Sequence, residues 1–273
     1  MIDFKDTNDL HKRLLSLRPL KELDIKRLRD DERTEMIYAS NALEGNTLTI
    51  SETQMILEKG ITIDGKSMRE HLEVVNLNDA IDYVEDLVRG EEVLDERTLK
   101  QIHYLVYKTT GERHLAGNYR TINVKILGSG HLTADFLNIH DEMKSFFEWK
   151  ESAEKTLHPV EFAAQLHRRF VGIHPFVDAN GRTARLLLNF TLTKAGYPPI
   201  IIKPDNQSRL DYINALEIAH TTGDDSDFIR LVKGFVDSKM DLMIKQVEAS
   251  REYQRKIEDT CFETFEKSRS NPI

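Results

Sequence analysis

Cysteine is almost missing from this chain of 273 residues, which contains one, Cys261. A single thiol excludes an internal disulfide framework and any cysteine-rich zinc site. Long apolar runs are missing as well, and none approaches the ~18 residues that a membrane span requires. The opening stretch MIDFKDTNDLHKR has no apolar centre, so it does not read as a signal peptide. There is no excess of positive charge. Thirty-eight basic and 46 acidic residues give a formal net charge of −8, which argues against a dedicated nucleic-acid binder. Internal repeats and low-complexity linkers are also lacking. The expectation is a cytoplasmic globular protein with neither a membrane nor a nucleic acid as partner.

What remains is helical patterning. A composition of 40% hydrophobic and 31% charged residues suits a globular chain with one large core or two modest ones. Residues 9–29 place Leu10, Leu14 and Leu17 before Pro19, and Leu20, Leu23 and Leu28 after it. Further helices are predicted over 31–44, from Thr49 or Ser51 to Gly60, over 67–89 and over 95–109. Pro159 opens another, which Gly172 can close. Residues 207–221 and 226–267 complete the set. One segment differs: Ile122, Val124 and Ile126 alternate with Thr121, Asn123 and Lys125 before Gly-Ser-Gly, which predicts a short β-hairpin.

The stretch that demands chemistry is HPFVDANGRTAR, residues 174–185. Pro175 prevents a regular helix through its first half, and a new helix is expected near Asn180 or Gly181. The first amides of that helix are unpaired donors, a ready anion site, and Gly181 lets a ligand approach the backbone. Arg182 and Arg185 are three apart and share a face. Cations at a helix start oppose its dipole by roughly 0.3–1 kcal/mol each, a sign that an anion between them would reverse. Singly, each residue has an ordinary structural reading: Asp178 or Asn180 as a helix cap, His174 as a core histidine, the arginines as surface ion pairs. Together they point to a phosphate site.

HPFVDANGRTAR resembles the signature of Fic-domain proteins at every fixed position. GNYR at 117–120 with the VKI that follows, HPVEFAAQLHRRFVGI and AGYPPIII extend the similarity over roughly 111–205, more weakly to Asp211-Tyr212. The resemblance implies an all-α Fic-fold helical bundle with a short β-hairpin flap beside the active site. It implies an N-terminal helical region (1–110), a catalytic core (111–205) and C-terminal helices completing the bundle (206–273). The implied activity is transfer of AMP from ATP to a Tyr, Thr or Ser hydroxyl of a protein target, the chain itself included.

The family's roles fall on matching residues. His174 is implied as general base and Asp178 as the Mg²⁺ ligand. Asn180, Gly181, Arg182 and Arg185 would hold phosphate, with Tyr212 as a wall of the nucleotide pocket. Arg120, Thr121, Val124 and Ile126 would form the target-binding flap. SNALEGN, residues 40–46, resembles the family's inhibitory motif through Ser40, Glu44 and Gly45. It places an inhibitory helix at about 31–46. The residues agree with that reading. Glu44 meets the negative end of one helix and Arg185 the positive end of another, so contact between them would relieve both. Removal of AMP from a target, a kinase-like reaction, a nucleotide-sensing module and a metal hydrolase built on His167, His174 and Asp178 are the competing readings. Gly181 disfavours the kinase-like one, and the absence of HxxEH or HExxH the last. A homo-oligomer is compatible with the sequence, which leaves oligomeric state open.

Overall fold

The computed structural model describes residues 2–18, 22–126 and 129–269, with side chains given for all of these except 22–31 and 254–269. The expected positions Pro19, Leu20, Leu23 and Leu28, with Cys261 and the charged C-terminal side chains, lie outside that description. Among the described residues there are ten α-helices and no strand. They are α1 Lys5–Ser16, α2 Glu22–Ala42, α3 Ile50–Lys59, α4 Met68–Arg89 and α5 Glu96–Tyr107. Then come α6 Ile139–Thr156, α7 Pro159–Ile173, α8 Asn180–Lys194, α9 Asn206–Thr222 and α10 Ser226–Arg269. No described helix is long and apolar enough to cross a membrane.

Helix starts follow local chemistry. Thr49 and Ser67 each close a reciprocal capping box, with Glu52 and Glu70 respectively. Pro159 occupies the first turn of α7. Gly172, which the sequence offered as its end, does not close that helix. α7 runs on to Ile173, and His174 caps it in the left-handed conformation at φ 55°. α6 was not anticipated, although Ile139, Met143, Phe146 and Ala153 form its buried stripe.

α8 organises the rest. Its residues Arg182–Leu192 are all buried, the polar Arg182, Thr183, Arg185, Asn189 and Thr191 among them. α7 lies along it, and α2, α4 and α5 also touch it. Leu187 and Phe190 face a core shared with Ile37, Leu77, Leu99 and Phe170. Leu188 and Leu192 face a second core with Val160, Phe228, Val232 and Met240. Burying each such side chain contributes roughly 1.5–3 kcal/mol. The start of α8 is therefore fixed by packing on both flanks.

The predicted β-hairpin is not formed. Residues 121–122 form a bend and 123–126 have no regular structure, and among the described residues no ladder joins them to 129–135. Side chains take the backbone partners instead. Thr133 Oγ1 donates to the Val124 carbonyl at 2.7 Å, and Arg120 Nη1 to that of Ile122 at 2.8 Å. Arg120 Nη2 donates to the Ala134 carbonyl. Asn123 Oδ1 accepts the Phe136 amide at 2.8 Å. The alternation pointed to a hairpin, but with these acceptors engaged by side chains no ladder is needed.

Candidate active site

The loop from α7 to α8 is bounded by two non-glycine residues at positive φ, His174 at 55° and Ala179 at 62°. Such backbone costs about 1–3 kcal/mol per residue and persists where surrounding contacts enforce it. Those contacts are present. Asn180 donates to the Phe176 carbonyl at 2.9 Å and accepts the Phe176 amide at 3.0 Å. Arg120, 2% exposed, donates from Nε to the His174 carbonyl at 2.8 Å, and its amide donates to the Pro175 carbonyl at 3.0 Å. His103 on α5 stacks on Phe176 with ring centroids 3.6 Å apart. Its Nδ1 accepts the Gly117 amide at 2.9 Å, so Nε2 is the protonated nitrogen and donates to the Asp178 carbonyl at 3.1 Å. Burial pushes the His103 pKa down to about 4, which keeps that tautomer neutral.

His174 lies 3.1 Å from the Val171 carbonyl through Nδ1, so Nδ1 carries the proton and Nε2 is left as acceptor. Burial lowers its pKa below the ordinary value, against the opposing pull of that carbonyl. Nearby, α8 begins without a side-chain cap, and Asp178 Oδ1 accepts the Ala179 amide at 2.6 Å. Neither Asp178 nor Asn180 is the cap residue that sequence alone allowed.

The expected meeting of Glu44 and Arg185 is present. Arg185 Nη2 donates to Glu44 Oε1 at 2.7 Å and to the Ser40 carbonyl at 2.8 Å, while Nε donates to Ser40 Oγ at 2.8 Å. Burial pushes the Glu44 carboxyl up, but the guanidinium outweighs it and the pKa lies below the usual carboxylate value. The carboxylate rests against the start of α8. A Cβ added to Gly181 would come within 2.2 Å of Glu44 Oε1, so a side chain there would displace the carboxylate. Gly45, at φ 94°, closes the turn after α2 where a side chain would be strained.

Arg182 is 2% exposed, and its Nε and Nη1 have no hydrogen-bond partner among the described residues. Its charge is balanced by Glu73 on α4, 3.3 Å away, and by Asp178 at 3.9 Å. Tyr212 sits differently from expectation. It is 6% exposed, with its hydroxyl 3.0 Å from His167 Nε2, so it is packed inside rather than lining an open wall. In the segment 121–126 Thr121 is exposed and Val124 and Ile126 are half-buried, whereas buried Arg120 fastens the loop to His174. The three-ligand site needed by a metal hydrolase is not assembled: His167 is fully buried against Tyr212, and no cluster of three metal-ligating side chains occurs among the described residues.

Sequence reasoning missed His103, Glu73 and Arg69, which donates from Nη2 to Asp178 Oδ2 at 2.8 Å. None lies in a motif, and each reaches the site from a distant helix.

With this geometry in place, comparison with known proteins is informative. The Fic/DOC family profile matches residues 93–192. A protein adenylyltransferase Fic of Nematostella vectensis is 40% identical over 227 residues, covering 82% of this chain and 51% of its own. Through this domain the chain belongs to the Fic/DOC family. A protein adenylyltransferase Fic of Culex quinquefasciatus is 34% identical over 247 residues, covering 89% of this chain and 48% of its own. The chain thus spans about half the length of these Fic relatives. The all-helical Fic fold recurs in a Fic domain containing signaling protein from Bacteroides thetaiotaomicron. Its TM-score is 0.80 at 29% identity, covering 90% of this chain and 98% of that one. Fic-1 from C. elegans superposes equally well, at TM-score 0.80 and 29% identity over 90% of this chain and 73% of its own.

Proposed function

We propose that this Fic protein is a protein adenylyltransferase, moving AMP from ATP to a hydroxyl side chain of a protein, and that Glu44 holds it in check. The observation that carries the reading is the placement of an unprotonated His174 Nε2 beside a helix start flanked by Arg182 and Arg185. His174 Nε2 takes the proton of the incoming Tyr, Thr or Ser hydroxyl. The hydroxyl oxygen bonds to the α-phosphorus as the bond to the bridging oxygen breaks, and pyrophosphate leaves. Arg182 and Arg185 offset the charge that builds on the β- and γ-phosphates, and the first amides of α8 do the same nearer the α-phosphate. Arg182, with two buried nitrogens lacking hydrogen-bond partners, suits an anionic ligand. The segment over 121–126 would hold the target by strand addition.

Mg²⁺ typically takes one or two carboxylates and fills its shell with phosphate oxygens and water. Asp178, 40% exposed at the rim of the site, fits as the single carboxylate. The ion would supply charge screening on the phosphates.

Autoinhibition follows from the same contacts. While Glu44 holds Arg185, that arginine cannot take the γ-phosphate, and the carboxylate against Gly181 repels any phosphate approaching the helix start. The position of Glu44 also favours a second reading, removal of AMP by a carboxylate-activated water, because its charge is felt at His174. Incubation with Mg²⁺ and each nucleoside triphosphate in turn, read by intact-mass spectrometry, tests the proposal. An AMP adduct formed from ATP supports transfer. Loss of AMP from a premodified target, without any gain from ATP, would install the second reading in its place.

A further inference from the structure

Asp178 is surrounded by positive groups. Its Oδ1 accepts the Ala179 amide at 2.6 Å and lies 3.9 Å from Arg182 Nη2. The remaining oxygen, Oδ2, accepts Arg69 Nη2 at 2.8 Å, across 109 residues of sequence. Arg69 opens α4, and its Nε lies 3.3 Å from Glu73 Oε1 one turn further on. The guanidinium is therefore aimed by one carboxylate at another. Glu73 is buried and shared: Oε1 is also 3.3 Å from Arg182 Nη1, and Oε2 accepts Asn46 Nδ2 at 2.9 Å. Asn46 lies two residues beyond Glu44, so the arginine is tied to the turn that carries the inhibitory carboxylate.

We infer that Arg69 is a built-in cation cap on Asp178, which a divalent ion must displace before it can bind. The inference rests on Asp178 being the magnesium carboxylate. A guanidinium and Mg²⁺ compete for the same oxygen and repel each other, so one enters as the other withdraws. Withdrawal is easy to accommodate. The Arg69 side chain is 56% exposed and can swing into solvent without opening the core, whereas Arg182 is only 2% exposed and stays. The cap thus raises the divalent-ion concentration at which the site fills. It acts at the metal end of the nucleotide site, whereas Glu44 acts at the γ-phosphate end. An exposed ion pair of this kind corresponds to a change in ion affinity of up to about fivefold.

The test is Mn²⁺ binding followed by electron paramagnetic resonance, with the chain intact and α,β-methylene ATP present, in wild type, Arg69→Gln and Asp178→Asn. No catalytic turnover enters the readout. Arg69→Gln is expected to bind Mn²⁺ roughly three- to fivefold more tightly, with an unchanged melting temperature, and Asp178→Asn to bind far more weakly than either. Equal affinity in wild type and Arg69→Gln, with Asp178→Asn still weakened, overturns the cap and leaves the metal assignment standing. Wild-type affinity in Asp178→Asn overturns the metal assignment, and the cap with it.

Discussion

Replacing Glu44 by glycine should make the enzyme faster. Arg185 is buried and makes three hydrogen bonds to the end of α2 and the turn after it, two to Ser40 and one to Glu44. The substitution removes only the ionic one. Breaking a fully buried pair costs about 3–5 kcal/mol, but Glu44 keeps 36% of its side chain exposed and the value must be discounted. A coupling of roughly 1–3 kcal/mol remains, which corresponds to about a 5- to 150-fold rise in transfer. The same change also lifts the carboxylate off Gly181 and opens the helix start to phosphate. It should cost a few degrees of melting temperature, because Arg185 is left in the interior without its counter-charge until ATP arrives. The assay is self-modification with labelled ATP at equal protein concentrations, with folding checked by circular dichroism. Equal or lower labelling by folded Glu44→Gly would refute the inhibitory role, and ATP binding measured beside it would show whether Arg185 was freed.

Three further outcomes follow from the site. His174→Ala should lower transfer by about 10²–10⁴-fold while ATP affinity, set by other residues, stays nearly intact; transfer at the normal rate would make His174 structural. Because burial holds the His174 pKa below the ordinary value, its base form persists into mild acid, and the acid limb of the kcat/KM profile should have its midpoint below pH 6.5; a midpoint above that value would contradict the buried geometry. His103 titrates near 4 when folded and near 6.5 when unfolded, so the unfolded chain binds more protons between those values. Its contribution to stability is complete above pH 6.5 and is lost by roughly 3 kcal/mol as pH falls toward 4. Melting curves across that window should show the slope, and His103→Gln should flatten it; an equally steep slope in the variant would remove His103 as its source.

The sequence was most legible where local physics dominates. Thr49, one of two caps the sequence allowed, starts its helix through a side chain that reaches only three residues ahead. The Glu44–Arg185 contact was legible for a different reason: each charge opposed its own helix dipole, and two such conflicts suggested a shared solution. Where tertiary contacts decide, the reading failed. Arg120 was assigned to the target surface, yet it is buried and holds the His174 loop through carbonyls that no pattern in GNYR reveals. The alternation at 121–126 predicted a hairpin, but side-chain hydrogen bonds take the place of a ladder there. His103, Glu73 and Arg69 come from helices whose approach to α8 is set by core packing, and charge alone gave no sign of it.

The most direct test of AMP transfer follows two labels on ATP in the Glu44→Gly variant. One sample carries radioactive phosphorus at the α-position and the other at the γ-position, each incubated with Mg²⁺ and resolved on a denaturing gel. If AMP is transferred, the α-label stays on protein, the γ-label leaves as pyrophosphate, and the α-label disappears when His174→Ala is added to the variant. Retention of the γ-label on protein would mean phosphoryl transfer instead, and retention of neither label by the folded variant would contradict the transferase account.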